Sequence, residues 1–128
     1  MANASISKDV ANFLAAYIDS VMQLEVLLLL YARRTSTLRS SDVAHDLRID
    51  LAWTEAALAN LAAAGILVYE SSGYRYSPRA ASLDQTIAEL ANAYEDRRVT
   101  IISMIFSKPA DPIRQFTDAF RFRKDEGN

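Results

Sequence analysis

At 128 residues the chain is long enough for one domain with a substantial core and short for two. Its composition, 51% hydrophobic and 23% charged, is that of an ordinary globular protein, and a formal charge of -2 lacks the basic excess of most nucleic-acid binders. The absence of cysteine excludes disulfides, iron–sulfur clusters and thiolate zinc sites and fits a reducing cytoplasm.

In chain order, the N-terminus lacks the basic-then-apolar order of a signal peptide, so a cytoplasmic protein is expected. Val10, Phe13, Leu14, Tyr17, Ile18 and Val21 then recur at helical spacing. Ser20 with Gln23 three residues on reads as a capping box opening a second helix. That helix carries Leu24, Leu27, Leu28 and Tyr31 on one face and Val26, Leu29 and Leu30 on the others, so it is expected at the centre of a core. Its apolar run, Val26 to Ala32, is far too short to span a bilayer, and no membrane association is expected.

Thr35 to Ser41 is a polar connector, followed by a short helix over Ser41 to Leu47. Asp50 is placed to cap a helix over Leu51 to Ala64, and Gly65 stands where a left-handed residue ends it. Ile66–Glu70 and Tyr74–Tyr76 read as strands joined through Ser71, Ser72 and Gly73. Beyond Pro78, Ser82 and Gln85 form a second candidate capping box for a helix running to about Ser107, where Pro109 opposes continuation. Asp111 and Pro112 then open a last short helix with the stripe Ile113, Phe116 and Phe120. There is no internal repeat, so residues 1–128 are expected to form a single domain, with a core unit at 20–78 and C-terminal helices at 82–122.

Two helices, a glycine stop, a hairpin and flanking helices follow one another in the order of a winged helix. The stretch Ser41 to Asp50, with Ala57, Leu58, Leu61, Gly65, Ile66, Leu67 and Val68 after it, resembles the helix-turn-helix of bacterial winged-helix transcriptional regulators. The succession of helices is similar to that of the MarR family, whose terminal helices form a homodimer. The expected fold is therefore mainly α: a winged helix-turn-helix with a short β-hairpin wing and flanking N- and C-terminal helices.

The resemblance implies that Leu51, Ala52, Trp53, Glu55, Ala56 and Asn60 face a DNA major groove. Among these only Asn60 has a strong base-reading side chain, and none is a cation. Arg39 and Arg48, near the ends of the first motif helix, and Arg75 and Arg79, beside the hairpin, would be the phosphate contacts; the alternative is that all four are simply solvated. Trp53 is either an exposed anchor for a protein partner or a side chain packed against the hairpin or a neighbouring helix.

Leu83, Ile87, Leu90, Tyr94, Arg97, Ile101 and Met104 step by four and three along the long C-terminal helix. The six apolar members form a seam for a homodimer or, alternatively, for packing against the chain's own first helix. Arg97 and Arg98 interrupt it and require partners, with Glu95 spaced to pair with Arg98, or an exit to the surface. Phe120, Arg121, Phe122, Arg123 and Lys124 make a basic–aromatic end suited to an acidic partner or nucleic acid, or simply a charged terminus.

His45, the one histidine, is flanked by Asp42 and Asp46 and reads as solvated. No phosphate loop, nucleophile elbow or metal-ligand spacing occurs, so neither an enzyme, a cofactor nor a metal is expected. Two functions fit: a dimeric regulator that binds double-stranded DNA, or a winged helix turned into a protein-interaction adaptor.

Overall fold

A computed structural model describes residues 6–107 of the chain, and within them the fold is mainly helical with one two-stranded antiparallel hairpin. Side-chain caps set the first boundaries. Helix α1 (Lys8–Tyr17) starts where Ser7 Oγ accepts the Val10 N–H at 3.2 Å. It stops three residues short of the expected stripe because Ser20 Oγ accepts the Gln23 N–H and Gln23 Oε1 accepts the Asp19 N–H, at 3.1 and 2.8 Å. The chain bends by 113° there, and helix α2 (Val21–Ala32) begins. As its composition predicts, α2 is central: Leu24, Val26, Leu27 and Leu30 are buried.

Helix α3 (Ser40–Leu47) opens with Asp42 accepting the Arg39 N–H. It closes on Arg48 in the left-handed conformation (φ 58°, ψ 52°), with the Ile49 N–H reaching back to the Ala44 carbonyl at 3.0 Å. Asp50 caps helix α4 (Leu51–Ala63) through the Trp53 N–H at 2.8 Å. Gly65, at φ 84°, ends it with the paired Gly65→Ala62 and Ile66→Leu61 backbone bonds of a Schellman motif. Both sequence expectations hold here.

Strands β1 (Leu67–Glu70) and β2 (Gly73–Tyr76) pair with Glu70 opposite Gly73, so the turn is only Ser71 and Ser72. Both serines have positive φ, 51° and 67°, the mirror-image turn that matches strand twist. Leu38, inside the segment expected to be a connector, forms an antiparallel bridge with Tyr74 through bonds of 2.8 and 2.7 Å. It thereby lays a third extended segment on the free edge of β2.

The C-terminal region departs from expectation. Instead of one helix to Ser107 there are two, α5 (Ala81–Asp96) and α6 (Arg98–Phe106), broken at Arg97 (φ -138°, ψ 51°). Helix α5 begins at Ala81 without a side-chain cap, so Ser82 and Gln85 form no capping box. The break lets α6 turn back and bury Ile101 and Ile105 beside α1, where a straight helix would carry both away from the core. Among the described residues no single helix is long and apolar enough to cross a membrane. The expected helix at 111–122 and the basic–aromatic end lie outside the described residues.

Candidate functional site

Helix α4 has two chemically distinct faces. Thr54, Ala57, Leu58 and Leu61 are buried, with the Thr54 hydroxyl satisfied by the Asp50 carbonyl at 2.7 Å. The opposite face carries the six positions expected to meet a groove, Leu51, Ala52, Trp53, Glu55, Ala56 and Asn60, and all six are exposed. Leu51 is 45% and Trp53 40% exposed, so Trp53 is a surface side chain rather than one packed away in the core.

The hairpin stands beside this face. Tyr69, opposite Tyr74 in the register, meets its ring at 5.0 Å and is still 64% exposed. Between hairpin and helices lies a cleft of about 400 Å³ lined by Arg39, Ser41, Leu51, Glu55, Tyr69 and Ser72. Tyr69 was not singled out from sequence, although it is the large side chain nearest the hairpin tip. Leu38, which fixes the hairpin edge, also escaped notice, because one apolar residue in a polar run has no periodicity to betray it.

The four arginines separate into two pairs. Arg75 is bound to Glu70 across the hairpin at 2.8 Å, and this bond holds the Glu70 carboxyl below the usual carboxylate range. Arg79 donates to the Ala64 carbonyl at 2.6 Å and lies over Gly65, where it closes the end of α4. Among the described residues Arg39 and Arg48 are exposed and in no ion pair. They flank α3 and are the cations best placed beside the α4 face.

Acidic groups near this face are partly spoken for. Asp50 caps α4, Glu70 is paired with Arg75, and Asp46 is paired with Arg33 at 3.0 Å, which leaves Glu55 as the carboxylate within the cleft. Among the described residues no group of three or more His, Asp or Glu is placed to hold a metal ion.

The C-terminal seam is not a surface. Ile87, Leu90, Tyr94 and Ile101 are buried in the chain's own core, and Leu83 and Met104 are half-buried at its edge. As a dimer interface these residues are unavailable while α5 and α6 keep this arrangement, and the packing is the intramolecular one against the first helices. Arg98 lies over the Tyr94 ring at 4.7 Å rather than in an ion pair with Glu95. The Tyr94 hydroxyl donates to Glu25 at 2.6 Å and ties α5 to α2.

Neither protein-family models nor curated proteins give a match to this chain.

Proposed function

We propose that the chain is a winged-helix regulator, similar in helix order to MarR-type proteins, that engages duplex DNA through α4 and the hairpin. The observation that supports this most is the Leu38–Tyr74 bridge. It makes the order helix, edge segment, two helices and hairpin, with the middle segment on the outer edge of the hairpin, and leaves α4 as an exposed rod beside it.

In this reading Arg39 and Arg48 hold phosphates on either side of the groove, while Arg75 and Arg79 serve the fold. The small side chains Ala52 and Ala56 and the neighbouring Leu51 suit thymine methyl groups better than guanine edges, and Asn60 is left to contact adenine. With two well-placed cations, binding is weak and strongly salt-dependent.

The variant Arg39→Ala with Arg48→Gly removes both cations without disturbing the turn, because glycine accepts the left-handed conformation of residue 48 more easily than arginine. Fluorescence anisotropy of a labelled mixed-sequence duplex should give micromolar binding at low salt. In the variant, affinity should fall about ten-fold or more and the salt slope by about two. No binding of the parent at low salt, or equal binding by the variant, would overturn the DNA reading.

The exposure of Leu51, Trp53 and Tyr69 favours a second reading, in which the same face docks a protein. Trp53→Ala would then abolish a partner complex while leaving duplex binding and thermal stability unchanged.

A further inference from the structure

Helix α6 packs with one stripe and leaves another bare. Ile101 and Ile105 enter the core, while Val99 is 77% and Phe106 78% exposed and Ile102 lies half-buried between them. Val99, Ile102 and Phe106 follow at i, i+3 and i+7, one continuous face. A helix apolar on two sides needs cover on both.

The chain itself supplies a matching strip. Four residues, Ser107 to Ala110, separate α6 from Asp111 and Pro112, the start signals of the last helix expected from sequence. Connections of two to five residues join antiparallel neighbours. Ile113, Phe116 and Phe120 repeat the i, i+3, i+7 spacing. Seven residues of helix span about 10.5 Å in both strips. Laid antiparallel, Phe106 meets Ile113, Ile102 meets Phe116 and Val99 meets Phe120.

We propose that residues 111–122 fold back as a helix and dock on the Val99–Ile102–Phe106 face of α6. A second copy of the chain is the weaker occupant. Two side chains offer roughly 300 Å², whereas a stable association buries about 800 Å² per partner. A tethered segment reaches the same patch without losing the freedom of a separate molecule.

The parent has no cysteine, so the test is a disulfide scan in the full chain. Val99→Cys with Phe120→Cys is oxidised in a glutathione buffer, beside a control, Val99→Cys with Asp118→Cys, whose second position lies on the far side of the expected helix. Non-reducing electrophoresis and intact mass read the products. The expected result is an intramolecular disulfide in the first pair, favoured about ten-fold over the control. Adding Phe116→Ser to the first pair should erase that preference. Equal yields from both pairs, or a covalent dimer as the main product, would overturn the proposal. Val99 is exposed and keeps none of the core, so circular dichroism of each variant should match the parent.

Discussion

Gly65 and Arg79 occupy one small volume at the end of α4. A Cβ at residue 65 would lie 2.6 Å from Arg79 Cδ, and the φ of 84° is one that side-chain-bearing residues resist. Gly65→Ala should therefore cost about 2 kcal/mol in a urea titration, and adding Arg79→Ala should recover the clash but not the backbone strain. Gly73 is constrained differently. A Cβ there would meet Thr37 and the Leu38 carbonyl, at 2.7 and 2.8 Å, so its role is to let the edge segment approach. The strain in the hairpin sits on Ser71 and Ser72, both left-handed without being glycine. Replacing them with Asn and Gly should raise stability by about 1 kcal/mol. A thermal melt checks this, and an unchanged or lower midpoint would show that the serines hold the turn in a way dihedral preference does not describe.

At the scale of elements, hydroxyl-to-carboxylate bonds connect layers that apolar packing alone would leave free to slide. Tyr94 reaches Glu25 from α5 to α2, and Tyr76 reaches Asp84 from β2 to α5. Burial and then the Glu25 bond push the Tyr94 phenol from 10.0 to about 12, and burial and the Asp84 bond push Tyr76 upward too. The folded state thus binds these protons more tightly than the unfolded chain. The stability they contribute is complete below pH 10 and is lost as pH rises from 10 toward about 12. Tyr94→Phe should cost about 1 kcal/mol at pH 7 and make denaturant midpoints fall less steeply in that alkaline window. An unaltered alkaline slope would mean that the Tyr94 proton is not linked to folding.

Elements whose ends are chemically signed were legible in the sequence. Ser20, Asp50 and Gly65 each announce a boundary through one side chain or its absence, and the structure uses all three. The break at Arg97 was not legible, since neither proline nor glycine stands there and the heptad spacing runs straight across it. What bends the chain is the burial of Ile101 and Ile105 beside α1, a tertiary demand that no local window contains. The candidate face divides in the same way. Exposure of the six α4 positions followed from helix phase, whereas the internal engagement of Arg75 and Arg79 depended on where Glu70 and the Ala64 carbonyl lie in space.

For the whole molecule, the important contacts are those between the two ends of the described chain, where α1 packs on α5 and α6. Both halves contribute to one core: Val10, Phe13, Leu24 and Leu27 from the first, Ile87, Leu90, Ile101 and Ile105 from the second. Neither half buries its apolar residues without the other, so fragments 1–71 and 72–128, divided at the exposed hairpin turn, should each lack cooperative structure. Mixed in equal amounts, they should assemble and recover the helical signal of the parent. Because the first and last described helices are neighbours, the polypeptide is in effect a closed ring with a dispensable seam. A short linker joining its ends, with new termini at Ser71 and Ser72, should give the same fold from a reordered chain.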